Sequence, residues 1–187
     1  MTATSDLPIA TQPQEVAQFW LDAGPKQWFN KSAQFDAEFK ARFEPAHMAA
    51  AARQLDGWLD DPTGALALMI LLDQFPRNAY RDTGHMFATD ALALHFAERA
   101  IAAGHDLKVD AVVRQFFYLP FEHAENLAAQ DRGVSLMEPL GPESLRWAVL
   151  HRDIIARFGR FPHRNAALGR QTTPAELAFL DSGGFAG

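Results

Sequence analysis

Two segments of the chain place arginine beside a Phe-Pro pair, and arginine suits the binding of carboxylates and phosphates. The segment RFGRFPHRNAALGR, residues 157–170, holds four arginines and a histidine and no acid. The segment LDQFPRN, residues 72–78, has a similar pattern. A guanidinium group matches a carboxylate and a phosphate equally well. The arginines therefore bind either acids of the same chain or an external anion, and we expect the two segments to meet around one site.

Asp73 is the first carboxylate that needs a partner. It follows a run of residues that is apolar on every side, and it lies at the end of a helix, where the helix dipole disfavours negative charge. Arg77 lies four residues further on, beyond Pro76, and is one possible partner; an arginine of the second segment is the other. We expect Asp73 to be buried and bonded to an arginine, a role that is structural first.

The segment YLPFEHAENL, residues 118–127, adds an acid and a histidine. Pro120 places Glu122 in the first turn of a helix, and the spacing puts His123 on the same face as Leu127. His151 shares a face with Trp147 in a later helix. A histidine on such a face is either a hydrogen-bonded core residue or a functional one.

The motifs of well-known catalytic sites are missing from the sequence. It has no Gly-x-Ser-x-Gly, no glycine-rich phosphate loop and no His-Glu-x-x-His. Glu122, His123, His151, Asp153 and His163 could form a metal site, but no Glu-x-x-His pair recurs on a second helix. We therefore expect neither a metal nor a cofactor.

Composition limits the classes of protein further. The 187 residues are 48% hydrophobic and carry a formal charge of −6, which predicts one domain over 1–187 and argues against a nucleic-acid or membrane-surface partner. The absence of cysteine excludes thiol chemistry. The first residues resemble no signal peptide, and no apolar run is long enough to span a membrane. We expect a cytoplasmic protein with a flexible N-terminal tail over residues 1–11.

Helical periodicity dominates the rest of the chain, and helix start signals recur at Pro13, Ser32, Asp61-Pro62, Gly141-Pro142 and Thr173-Pro174. We predict that Pro45 interrupts one helix, which resumes towards Leu59. Further helices are predicted over 62–75, 86–103, 110–118, 121–137 and 142–158. Because no segment alternates with a period of two, the expected fold is all-α: about eight or nine helices in one compact domain, an irregular bundle or stacked helix pairs.

Several segments together resemble a bacterial family known as domain of unknown function nine hundred and twenty-four. They are FWLDAGPKQWF, LLDQFPRNAYRDTGHMFATDALAL, RQFFYLPFEHAENLAAQDR and HRDIIARFGRFPHRNAALGRQTTPAELAFL. The resemblance implies a tetratricopeptide-like helical fold and no established activity. Members of the family often have serine where this chain has Ala124, a difference that weakens the idea of a hydroxyl nucleophile beside His123.

Two functions and a structural alternative follow. The first is a non-catalytic binding module that holds an anionic small molecule or an acidic peptide. Its expected binding residues are polar side chains of these segments: Asp73, Arg77, Asn78, Glu122, His123, His151, Arg160, His163, Arg164 and Asn165. The second is a hydrolase-type enzyme in which His123, His151 and Glu122 do acid–base chemistry, which requires them within hydrogen-bond reach of one another and of a cavity. In the third, the cluster is purely structural. At least one arginine or His163 of residues 157–170 is expected to stay available to an anion.

Overall fold

Helices form all the regular structure between residues 10 and 187, the part of the chain that this computed structural model describes. The all-α prediction is thus confirmed for this part. Of the predicted N-terminal tail, residues 1–9 lie outside the described residues, and residues 10 and 11 precede the first helix.

The α-helices are joined by short loops and 3-10 turns. They are α1 (Pro13–Ala23), α2 (Pro25–Trp28), α3 (Ala33–Ala51), α4 (Pro62–Met69), α5 (Phe75–Ala79), α6 (Asp90–Ala102), α7 (Leu119–Glu122), α8 (Leu127–Met137), α9 (Pro142–Phe158) and α10 (Pro174–Asp181). Several predicted caps are present: Ser32 accepts a hydrogen bond from Phe35 N, Asp61 accepts from Thr63 N, and Thr173 forms a capping box with Glu176.

Helix α4 lies in the centre of the core, as its apolar sequence predicts. Every residue of Ala65–Leu72 is almost fully buried, and α4 packs against α1 and α6. Large aromatic side chains surround it, and they are Trp20, Phe39, Phe75, Phe96, Phe116, Phe117 and Phe121. The C-terminal end of this buried helix therefore places Asp73 inside the molecule.

The turn that carries Asp73 is a π-helix over Ile70–Gln74, which joins α4 to α5. Three of its carbonyl oxygens accept hydrogen bonds from side chains of other turns: that of Leu71 from His47 Nδ1 (2.9 Å), that of Leu72 from Thr89 (2.5 Å) and that of Asp73 from Arg77 (2.6 Å). These side chains hold the wider turn in place. Single π-turns of this kind often occur at functional sites.

The predicted interruption at Pro45 is wrong, because α3 runs through it to Ala51. Proline removes one backbone hydrogen bond, but Phe39, Phe43 and Ala46 are buried along one stripe on both sides of it. The helix does not resume towards Leu59, where residues Asp56–Asp60 form a 3-10 turn.

The predicted helix over 121–137 is also wrong. Helix α7 ends at Glu122, and α8 begins at Leu127 with Asn126 as its cap. Gln130 fills the break by donating its side-chain amide to the carbonyls of Glu122 (2.6 Å) and Ala124 (2.8 Å). His123 consequently does not share a face with Leu127, which is 45% exposed.

Two more predicted helices are shorter than expected. The one predicted over 86–103 begins only at Asp90, after a 3-10 turn over Gly84–Phe87. The segment 110–118 contains only a 3-10 turn over Arg114–Phe117. In contrast, α9 spans the predicted residues and ends at Gly159, which is left-handed (φ 69°).

Gly64 gives a direct test of how closely α4 is packed. A Cβ atom there would lie 2.0 Å from the carbonyl oxygen of Trp58, whereas a Cβ at Gly57 would meet nothing within 4 Å. Alanine normally stabilises a helix relative to glycine by about 1 kcal/mol. We predict that Gly64→Ala instead destabilises the protein by several kcal/mol, as overpacking does. Gly57→Ala is the control. Urea denaturation that shows equal stability for the two variants would contradict this packing.

Candidate functional site

The Asp73 carboxylate is buried and bound on both of its oxygens. Oδ1 lies 2.7 Å from His123 Nδ1 and 3.3 Å from the Arg77 guanidinium, and Oδ2 accepts a hydrogen bond from Gln74 (2.6 Å). Burial works to raise the pKa of Asp73, but the charge of Arg77 and the contact with His123 outweigh it and hold this pKa at about 2. Asp73 is therefore ionised at neutral pH, and the expected bond to an arginine is made by Arg77.

Asp90, the first residue of α6, joins the two arginine-bearing segments. Its Oδ1 accepts a hydrogen bond from Arg77 (3.0 Å), and its Oδ2 accepts one from Arg164 (3.0 Å). The prediction that the two segments meet in space is confirmed by this shared partner. Asp73, Arg77, Asp90 and Arg164 form a chain of alternating charges, which we call the charge chain.

Arg164 is buried and is the last residue of the charge chain. It donates a second hydrogen bond to the carbonyl of His123 (3.0 Å), and its guanidinium lies over the rings of Phe87 and Phe161. Burial lowers the pKa of Arg164 to about 10, so the side chain stays charged at neutral pH. Arg164 thus binds an acid and a carbonyl of the same chain.

His123 donates its Nδ1–H to Asp73 and is neutral. Because an ionised Asp73 only accepts hydrogen bonds, the proton must be on His123 Nδ1, and Nε2 carries the lone pair. Burial, together with the charge of Arg77, lowers the pKa of His123. Nε2 makes no hydrogen bond within the described residues, and 14% of the side chain is exposed.

Glu122 is the second carboxyl group of the cluster and is protonated at neutral pH. Burial and the nearby negative charge of Asp73 raise its pKa to about 8. Its Oε1 lies 3.1 Å from His151 Nδ1, which also donates to the carbonyl of Trp147 (2.9 Å). Burial lowers the pKa of His151 to about 3, so this histidine is neutral.

His163 lies next to Phe161 and Phe185. Its ring centroid is 5.6 Å from that of Phe161 and 5.1 Å from that of Phe185. Its buried Nδ1 has no hydrogen-bond partner among residues 10–187. Burial lowers its pKa to about 4, so it too is neutral at pH 7.

The other arginines of the segment 157–170 that we expected to bind an anion are paired within the chain. Arg160 binds Glu176 (2.6 Å and 2.9 Å), and Arg170 binds both oxygens of Glu125 (2.8 Å and 2.7 Å). Arg160, Arg164 and Arg170 of this segment therefore bind acids of the same chain.

Three predicted residues lie away from the cluster. Asn78 donates to Asp36, which also binds Arg81, on the side of α3. Arg160 and Asn165 both donate to Glu176 and hold α10. The structure therefore brings together only the remaining candidates, and these are Asp73, Arg77, Glu122, His123, His151, His163 and Arg164.

Asp153 and Arg157 form no ion pair with each other among the described residues. Asp153 contacts Arg152 (3.2 Å), and the Arg157 guanidinium lies over the rings of Phe158 and Phe179.

Two surface depressions, of about 330 and 400 Å³, lie elsewhere on the molecule. The first is lined by residues of 111–115 and 139–144, and the second by residues of 14–22 and Arg42. Within residues 10–187, no three His, Asp or Glu side chains are grouped as a metal site requires. The cluster is instead covered on its His151 side by Phe185, whose ring lies 4.6 Å from that of His151.

Sequence reasoning missed Asp90 and Phe185. Asp90 opens a helix, where an acid is favoured by the dipole alone, so nothing marked it as a partner for two arginines. Phe185 stands among glycines in SGGFAG, and an isolated aromatic residue in such a segment is the only signal that could have indicated it.

Comparison with known proteins places the chain among bacterial proteins. Residues 16–184 match the family described as bacterial protein of unknown function (DUF924). The chain belongs to this family. It is also similar to a solved structure, a protein of unknown function from Agrobacterium tumefaciens, with 55% identity and a TM-score of 0.89. The match covers 91% of this chain and 97% of that one. No curated protein matches the chain.

The resemblance seen in the sequence is thereby confirmed. None of the helices described has the length and apolar character needed to cross a membrane.

Removing the charge of Asp73 should destabilise the fold strongly. Asp73→Asn leaves Arg77 without one of its buried partners, and breaking a buried pair in this way costs about 3–5 kcal/mol. Asp56→Asn is the control, because Asp56 forms an exposed pair with Arg53 whose loss costs about 1 kcal/mol or less. Urea denaturation measures both values, and a similarly small loss in Asp73→Asn would contradict the pairing.

Glu122 should make stability depend on pH. Its pKa is higher in the folded protein than in the unfolded chain, so its contribution is complete at low pH and falls as pH rises towards 8. From pH 6.5 to 8 this loss amounts to about 1.5 kcal/mol. Glu122→Gln lacks this titration, so we predict that the free energy of unfolding of the variant, relative to that of the native protein, rises by about this amount from pH 6.5 to 8. All histidines are kept in both proteins, so their titration cancels, and a constant difference would show that Glu122 is ionised throughout.

Proposed function

We propose that Asp73, Glu122, His123 and His151 form an acid–base site that acts on a small-molecule substrate, as in hydrolases. The observation that carries this proposal is the 2.7 Å hydrogen bond between Asp73 and His123 Nδ1. It leaves His123 Nε2 with the lone pair and without a hydrogen-bond partner among residues 10–187, and the preceding residue, Glu122, is a carboxylic acid that keeps its proton at neutral pH. A base and an acid with separated pKa values in one cluster are what proton-transfer catalysis requires.

Each residue has a distinct role in this site. His123 Nε2 takes a proton from water or from the substrate, and Asp73 orients the ring and stabilises the imidazolium that forms. Glu122 gives its proton to the leaving group. His151 fixes the Glu122 carboxyl through the 3.1 Å contact.

The paired arginines favour this proposal over the non-catalytic anion-binding module expected from the sequence. Arg77, Arg160, Arg164 and Arg170 all bind acids within the chain. The charge chain contains two arginines and two aspartates and is therefore neutral, so it does not attract an anion as free arginines would.

Binding of an anionic small molecule or an acidic peptide end without catalysis is the second candidate. The observation in its favour is that Arg164 Nε and His163 Nδ1 are buried without a hydrogen-bond partner among the described residues. A carboxylate that reached them would supply the acceptor that an N–H group at either atom lacks. Titration with phosphate, citrate and acidic peptides, followed by the amide NMR shifts of residues 157–170, tests this candidate.

The titration of Glu122 tests the acid–base proposal directly. In protein labelled with ¹³C at the glutamate carboxyl groups, the Glu122 signal should titrate with a midpoint near 8. Glu122→Gln identifies the signal. A midpoint below about 5, near the ordinary glutamate value, would leave the site without its acid and overturn the proposal.

Activity should depend on the same residues. In a panel of esters, amides and phosphate esters, we expect turnover of a hydrolysed compound to fall at least about 100-fold in His123→Gln. It should also decline above about pH 8, where Glu122 loses its proton. His95→Gln is the control, since His95 is exposed. Equal loss in both variants, or saturable binding of an anion without any turnover, would contradict catalysis by His123.

A further inference from the structure

Phe185 lies in a cage of three rings next to the proposed acid. Its ring centroid is 4.6 Å from His151, 5.1 Å from His163 and 6.2 Å from Trp147, in each case in an edge-to-face arrangement. His151 is the residue that contacts the Glu122 carboxyl. An aromatic ring in this cage is therefore one side chain away from the acid–base site.

The segment that carries Phe185 is held by few contacts. Gly183 has φ of +81°, and Gly184 N donates to the carbonyl of Phe179 (3.0 Å). A Cβ on Gly184 would lie 2.5 Å from that same oxygen, so the turn needs a glycine there. Beyond Gly184, the described residues 185–187 form no hydrogen bonds of their own. The Phe185 ring is thus the main anchor of the segment.

The cage suits an uncharged aromatic group. Burial lowers the pKa values of His151 and His163 to about 3 and 4, so both imidazoles are neutral at pH 7. Trp147 donates its indole N–H to Glu143 (2.9 Å), which holds the outer wall. Edge-to-face contacts with three rings favour an aromatic group over an aliphatic one of similar size.

We infer that Trp147, His151 and His163 form a subsite for an aromatic ring of phenylalanine size, and that Phe185 occupies it within the same chain. The inference rests on the proposed function in one respect: a substrate of the acid–base site carries such a ring and displaces Phe185 to bind. The C-terminal segment then covers the site until a ligand with this group arrives.

The binding of N-acetyl-L-phenylalaninamide tests the subsite. Phe185 competes at the high effective concentration of a tethered group, so the probe should bind Phe185→Ala at least about tenfold more tightly than the native protein. NMR shifts should appear on the rings of Trp147, His151 and His163. Phe29→Ala is the matched control, because Phe29 is exposed and packs against Phe116 elsewhere; it should bind like the native protein.

Two results would overturn the inference. One is the same affinity in Phe185→Ala and the native protein, and the other is the absence of shifts on the three rings in Phe185→Ala up to the solubility limit of the probe. Trp147→Leu, added to Phe185→Ala, should abolish the binding, and unchanged binding would equally contradict the cage.

The experiment separates the subsite from the proposed function, because probe binding needs no catalysis. Failure of the probe to bind, with Glu122 titrating near pH 8, removes the subsite and leaves the acid–base site. If the probe binds but Glu122 titrates below about pH 5, the subsite remains and the acid–base site is removed.

Discussion

The negative charge of Asp73 inside the core is the constraint on which the site depends. Asp73 lies in the buried π-turn that follows α4, where an isolated carboxylate would be costly. Arg77 neutralises it, and Arg77 in turn binds Asp90, which binds Arg164. The charge chain therefore links the end of α4, the start of α6 and the segment after α9. These parts of the chain are far apart in sequence, and the need to pair one buried charge brings them together.

The same charge sets the protonation of the neighbouring groups. With Asp73 ionised, a second negative charge at Glu122 is disfavoured by both repulsion and burial, so Glu122 keeps its proton. His123 donates its Nδ1–H to Asp73, and its Nε2 carries the lone pair. Two buried carboxyl groups in one cluster thus differ in pKa by several units, a difference that arises from their surroundings alone.

Local signals predicted the helix ends, whereas contacts between distant residues decided the errors. Proline, glycine and capping residues marked the starts of α1, α4, α9 and α10 correctly. The break before α8 depends on Gln130 of that helix, whose side-chain amide donates hydrogen bonds to the carbonyls of Glu122 and Ala124. No local sequence pattern indicates these bonds. The π-turn that carries Asp73 depends in the same way on His47 and Thr89.

The sequence likewise predicted some features of the candidate site and not others. Burial of Asp73, its bond to an arginine and the meeting of the two arginine-bearing segments were predicted from the cost of an unpaired charge, whereas the choice of Arg77 over an arginine of the second segment was not. The partner that joins them, Asp90, could not be recognised, because an acid at a helix start needs no partner. The neutral state of Glu122 could not be predicted either, since it depends on burial and on the distance to Asp73.

The protonation of His123 tests this account most directly. Two-bond ¹H–¹⁵N correlations of the histidine rings at pH 7 distinguish the two neutral tautomers from the imidazolium ion. The account predicts a proton on Nδ1 and none on Nε2, and predicts that Asp73→Asn alters this pattern. A proton on Nε2 at pH 7 in the native protein, in either the neutral or the charged ring, would contradict it.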